Sequence, residues 1–148
     1  MTMQYSDQIE IEADQATVWE IVSDPKVLAE CIPGAEEVTR KTDTEYEGVI
    51  SRSFAGLSVT VDGTVNLTDL APPDRVVLTG GGTDRLTGME LEVDGEVTLD
   101  ERGDSLTAVA YDFELEFIGR LPVHYFKKRI DTDIAQFIEN VTKAVEES

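Results

Sequence analysis

Between residues 45 and 117 apolar and polar positions alternate with a period of two. Leu57, Val59, Val61, Gly63, Val65 and Leu67 interleave with Ser58, Thr60, Asp62, Thr64, Asn66 and Thr68. Met89, Leu91, Val93, Gly95, Val97 and Leu99 interleave with an acidic set running from Glu90 to Asp100, and Val109, Tyr111, Phe113, Leu115 and Phe117 with Ala110, Asp112, Glu114 and Glu116. Successive side chains of a strand point to opposite faces, so this pattern predicts an antiparallel sheet with one apolar and one wet, acidic face. Tyr46, Gly48, Ile50, Arg52 and Phe54 form a further inward register. Ala55-Gly56, Pro72-Pro73-Asp74 and Arg102-Gly103-Asp104 are turn signals between the strands. Val76 to Thr79 reads as a short strand, after which Gly80-Gly81-Gly82 opens a flexible connection. Gln8 to Glu12 and Glu36 to Lys41 bring the expected strands to seven.

The period changes at the C-terminal end. Phe126, Ile130, Ile134, Phe137, Ile138, Val141 and Val145 recur at three- and four-residue steps, the apolar stripe of one amphipathic helix over Leu121 to Glu146. Lys128, Asp131, Glu139 and Lys143 fall on its polar side, and Pro122 suits a first helical turn. Two shorter helices follow the first strand. Asp14 can cap one carrying Val18, Ile21 and Val22. Asp24-Pro25 starts another carrying Val27, Leu28 and Cys31, which Pro33-Gly34 ends. One α+β domain over residues 1–148 is expected, a curved seven-stranded sheet wrapped on the long helix. Gly48, Gly63 and Gly95 lie in the inward register, where glycine permits bending or leaves space, so a cavity between sheet and helix is expected.

Charge narrows the partners. Twelve basic against 31 acidic residues give a net charge of −19. Phosphate backbones and anionic membrane surfaces are repelled, so nucleic acid is excluded as a general partner. The acidic excess is spread along the chain rather than held in a tail, which points to a high-salt cytoplasm, as in a halophilic archaeon, where dense salt screens self-repulsion. No basic segment with an apolar run opens the sequence and no apolar run reaches spanning length. The chain is therefore read as cytoplasmic, with no transmembrane segment.

Candidate chemistry is sparse. His124 is the only histidine, expected to face solvent, and no positioned partner makes it a base. Cys31 is the only cysteine, on the apolar side of its helix, and reads as a buried structural thiol. The carboxylates sit at alternating wet positions without metal-ligand spacing, and Gly80-Gly81-Gly82 lacks the Gly-Lys-Ser/Thr of a phosphate loop. No catalytic residue, metal or cofactor is therefore assigned. Arg120, Lys127, Lys128 and Arg129 cluster. Local pairing of Lys127 with Asp131 and Arg129 with Asp133 accounts for them, as does a docking patch for an acidic partner. Arg52 points inward, where a guanidinium either reaches out to the pocket mouth or meets the polar end of a ligand.

The order of one strand, two short helices, six strands and a long helix resembles the helix-grip fold of the START-like, polyketide-cyclase-like (SRPBCC) superfamily. Val22 to Gly34, with its Asp-Pro and Cys-Ile-Pro-Gly, together with Tyr46-Glu47-Gly48, Ala55-Gly56-Leu57, Gly63-Thr64-Val65 and Ala71-Pro72-Pro73-Asp74-Arg75, is similar to the carbon monoxide dehydrogenase G-subunit (CoxG) family. That resemblance implies an accessory protein beside a molybdenum hydroxylase, serving its maturation, its recruitment to the inner face of the membrane, or quinone delivery. Some members of the family carry a further C-terminal membrane-attaching segment. This sequence ends at Ser148, directly after the helix, so anchoring of that kind is not expected. The expected ligand is a small hydrophobic molecule such as an isoprenoid quinone or lipid, lined by Tyr46, Ile50, Arg52, Phe54, Val61, Met89, Leu91, Val93, Tyr111, Phe113, Phe126, Ile130 and Ile134. Two other readings stay open: a cyclase- or hydratase-like enzyme using the same pocket, and a protein-binding module with a filled core.

Overall fold

A computed structural model describes residues 1–54, 56–120 and 123–148, with side chains apart from those of Phe54, Leu57, Val123 and Tyr125. Seven strands form one antiparallel sheet: β1 Thr2–Ile11, β2 Ala35–Arg40, β3 Glu45–Phe54, β4 Leu57–Ala71, β5 Arg75–Asp84, β6 Glu90–Gly103 and β7 Leu106–Ile118. Their order is β1-β7-β6-β5-β4-β3-β2, so each strand from β2 to β7 pairs with its chain neighbour and β1 closes against β7. Two short helices, α1 Gln15–Val22 and α2 Pro25–Glu30, connect β1 to β2, and α3 Lys127–Glu146 ends the chain.

The alternation does what its period demands. Val76, Leu78, Val97, Leu99, Val109, Phe113 and Leu115 are buried on the inner face. Ile130, Ile134, Phe137, Ile138 and Val141 of α3 pack onto that core, and Val145 is buried within it. Burying an aliphatic or aromatic side chain of this size is worth about 1.5–3 kcal/mol, which is why a half-apolar sheet and a half-apolar helix find each other. Asp24 caps α2 by accepting from the Lys26 N–H, with Pro25 at the first helical position. Asp14 occupies the cap position of α1 but makes no bond to the helix N–H groups; its carboxylate accepts from the Thr17 hydroxyl instead.

Two expectations are corrected. Gly80-Gly81-Gly82 is not a loop: it lies inside β5, paired with Val65, Thr64 and Gly63 of β4 and Val93, Glu92 and Leu91 of β6. The pattern hid this strand because glycines give no apolar signal, while neighbours on both sides supply every ladder partner. The long helix starts later than expected. Val123–Phe126 is a short 3-10 turn and regular helix begins at Lys127; the proposed start at Leu121 and Pro122 lies outside the described residues, as does Ala55 of the expected Ala55-Gly56 turn. Phe126 therefore sits at the cap of α3 rather than on its stripe.

The edge strand β2 is kinked. Its register on β3 slips between Glu36 and Thr39, where Glu37 takes a positive φ of 53°. A bulge on an edge strand bends it and re-aims its side chains, and Val38, next to the bulge, faces the space under the sheet.

Candidate functional site

That space is a cavity of about 220 Å³ between the concave sheet face, α2 and α3. Its wall is overwhelmingly hydrocarbon. The sheet contributes Ile50, Val61, Val65, Leu78, Leu91, Val93, Phe113 and Leu115; α3 contributes Ile134 and Phe137; the α2 end contributes Leu28, Ala29, Ile32 and Pro33. Gly48, Gly63, Gly80 and Gly82 also line it, and their pairing puts them on one face, so four neighbouring positions on β3, β4 and β5 put no side chain into the space.

The polar exceptions are few. Arg52 of β3 and Asp133 of α3 face each other across the cavity wall. The Arg52 Nε donates to Asp133 Oδ2 at 3.1 Å and Nη2 to Oδ1 at 2.5 Å. Both side chains are only about a fifth exposed, at 23% and 21%. A two-point guanidinium–carboxylate contact satisfies the buried charges in pairs and fixes their orientation. Tyr46 adds a hydroxyl group, and Glu47 lies at the exposed rim.

The turn after α2 holds Arg52 in place. Gly34 has φ 80°, a left-handed conformation that glycine adopts without penalty. A Cβ there would lie 2.5 Å from the Ser51 carbonyl oxygen and 2.8 Å from Cδ of Arg52. The turn and the arginine stem thus touch backbone to side chain. The same turn is tied to α3, whose Asn140 Nδ2 donates to the Cys31 carbonyl at 2.9 Å. Cys31 is buried, and burial followed by the charge of Glu30 pushes its thiol up from the ordinary value, which fits an unreactive structural cysteine.

Eight of the expected lining residues come together here: Tyr46, Ile50, Arg52, Val61, Leu91, Val93, Phe113 and Ile134. Others stand elsewhere. Tyr111 is displaced to a second, smaller cavity of about 40 Å³. Met89 precedes β6 and packs beside Gly119, Ile130 packs on the core, and Phe126 is at the head of α3. The Phe54 side chain lies outside the described residues. Gly95 does not leave space, because the Phe113 ring occupies it: a Cβ there would lie 2.5 Å from the ring. The alternation missed Leu28, Ile32 and Pro33, which come from a helix end with no strand register. Val65, Leu115 and Phe137 were already in the inward register and stripe and could have been named.

Two carboxylates of α3, Asp131 and Asp133, are half-buried, whereas Glu139 and Glu146 are exposed. Asp131 is half-buried and accepts from the Tyr5 hydroxyl of β1 at 2.6 Å and from Lys127 Nζ at 3.0 Å. The tyrosine hydrogen bond, then the lysine, hold the Asp131 carboxyl below its ordinary value; burial and the same carboxylate push the Tyr5 phenol well above its own. The expected Lys127–Asp131 pair is present, and Asp133 pairs with Arg52 of β3. Arg120, Lys127, Lys128 and Arg129 are all exposed, as is His124.

A curved antiparallel sheet gripping a C-terminal helix over an apolar cavity defines a START-like, ligand-binding fold. Solved structures agree. A conserved protein from Geobacillus kaustophilus superposes with a TM-score of 0.83 at 20% identity, covering 99% of this chain and 97% of that one. A START superfamily protein from Mycobacterium smegmatis gives 0.66 at 16% over 97% of each chain. The Zhui aromatase/cyclase from Streptomyces sp. R1128 gives 0.67 at 14%, covering 99% and 94%. At these identities the likeness establishes the fold alone. A search of curated protein sequences gives no match. The profile of the carbon monoxide dehydrogenase G-subunit (CoxG) matches residues 8–147, and the chain belongs to that family.

Proposed function

We propose that the protein is a carrier for a neutral, mostly apolar molecule, held in the cavity between the sheet and α3. The observation that carries this reading is the wall itself: about 220 Å³ lined by hydrocarbon, with one charged pair whose members satisfy each other. Small-ligand sites have this composition, a greasy pocket with a few placed polar groups. An anionic ligand competes with Asp133 for Arg52, and a cationic one competes with Arg52 for Asp133. An uncharged carbonyl or hydroxyl needs neither displacement. It can accept from the remaining guanidinium N–H groups or bond to Tyr46.

Family membership supports the setting. CoxG proteins are linked to a molybdenum hydroxylase, and an isoprenoid quinone fits the chemistry of the pocket, with polar carbonyls on a flat head and a hydrocarbon tail. We therefore read the protein as an accessory that delivers such a molecule to, or helps mature, a partner enzyme of that kind, inside the cell and at times against the inner membrane face. Among the described residues no helix is long and apolar enough to cross a membrane. The cyclase-like alternative needs an acid or base aimed at the ligand; Arg52 and Asp133 are the half-buried charged groups of the cavity wall, and their mutual pairing favours the carrier.

Native mass spectrometry of protein purified from its own host tests the reading. A neutral lipid or quinone bound in a one-to-one ratio is the expected result, and Val61→Trp, which fills the middle of the cavity, abolishes it. Host-purified protein that retains no ligand and takes up none from added quinone overturns the carrier reading.

A further inference from the structure

The main cavity has an apolar neighbour. Beyond it lies the second cavity of about 40 Å³, and Leu28, Leu78, Phe113 and Phe137 line both. The far chamber is closed by Ile9, Ile11, Val97, Val109, Tyr111 and Val141, among others. Volume of that size exceeds what one water needs, yet apolar walls offer water few partners, so such a chamber stays dry and receives hydrocarbon. An empty apolar void costs stability. Adjoining a ligand site, it is also space that a tail can use.

The two rings of the partition are held differently. Phe113 is 6% exposed and lies opposite Gly95 of β6, its ring seated where that residue has no side chain. It also stacks on Tyr111, centroids 5.6 Å apart. Phe137 comes from α3, is only half-buried, and meets Phe113 edge-on at 6.1 Å and 76°. Phe113 is therefore the more deeply held ring, and Phe137, from the helix, the less buried one.

We propose that Phe137 sets the length of hydrocarbon tail the site accepts. The inference rests on the carrier reading and adds to it a specificity-determining residue and a second chamber. In the native protein a tail runs along the main cavity and stops at the Phe137 ring. Removing that ring joins the two chambers into one longer slot.

The test is calorimetric titration with straight-chain primary alcohols from hexanol to tetradecanol. Each methylene buried tightens binding about fourfold, so native affinity climbs with length until the tail meets Phe137, then levels or falls. Phe137→Ala is expected to move that maximum to an alcohol longer by at least two carbons. Adding Val141→Phe, which fills the far chamber, is expected to move it back. Phe137→Leu keeps more of the packing and gives a smaller shift in the same direction if the alanine variant does not fold, as judged by circular dichroism. A maximum unchanged in the folded Phe137 variants overturns the length gauge and leaves the carrier standing. A folded native protein that binds none of the alcohols overturns the carrier reading and the gauge with it.

Discussion

At the residue scale, space is allocated by what glycine lacks. Gly95 gives its missing side chain to the Phe113 ring, so Gly95→Ala drives a methyl group to 2.5 Å from an aromatic carbon. Overpacking of this kind costs about 1–3 kcal/mol. The expected result is a melting temperature lower by several degrees, with ligand capacity reduced because the ring has to shift; an unchanged melting temperature contradicts the packing described. Arg52 is the other decisive residue. Its loss leaves Asp133 as a half-buried carboxylate without its two-point partner. Arg52→Leu is expected to weaken binding of a neutral ligand about tenfold or more, in line with the 1.5–3 kcal/mol of a hydrogen bond to a charged group, while the far-ultraviolet circular dichroism stays native. Equal affinity in the variant removes Arg52 from the site.

At the element scale, α3 is held over the cavity from two sides. Asp131 and Asp133 are two positions apart on a helix and so point in different directions. One reaches Tyr5 of β1, the first strand in the sheet order; the other reaches Arg52 of β3, near the opposite end. The clasp on the β1 side depends on pH. The Asp131 pKa is depressed in the folded state, so its contribution is present above the ordinary aspartate value of 3.8 and is lost as the pH falls below it. The Tyr5 pKa is raised, so its contribution is present below 10.0 and is lost only as the pH climbs past that. Tyr5→Phe is therefore expected to lower stability by about 1 kcal/mol at pH 7, a difference that shrinks at pH 3. Urea unfolding of both proteins at the two pH values checks it, and a gap that widens on acidification contradicts the assignment.

For the whole molecule the governing quantity is the net charge of −19. Ion pairs such as Arg85–Asp62 and Arg75–Glu96 offset a little of it on the wet sheet face, and exposed pairs contribute at most about 1 kcal/mol each. The rest is self-repulsion that salt screens, with a Debye length falling from about 10 Å at 0.1 M to about 3 Å at 1 M. The melting temperature is expected to rise from dilute buffer to molar potassium chloride. A flat or falling dependence counts against a high-salt origin and against repulsion as the main opposing force.

The sequence by itself determined the strand face, the helix stripe and the motif from Asp24 to Gly34. Each of these follows from backbone geometry over a few residues: a period of two, a period of 3.6, a cap and a turn. The family was legible for the same reason, since its motif is local. Only the tertiary structure decided that Gly80–Gly82 is a strand, because its hydrogen-bond partners come from β4 and β6 rather than from itself. Only the structure gave Asp133 to Arg52, 81 positions away. The division of the interior into two chambers was likewise invisible. It depends on residues far apart in the chain, Leu28, Leu78, Phe113 and Phe137, which meet between the two chambers only once the helices land on the sheet.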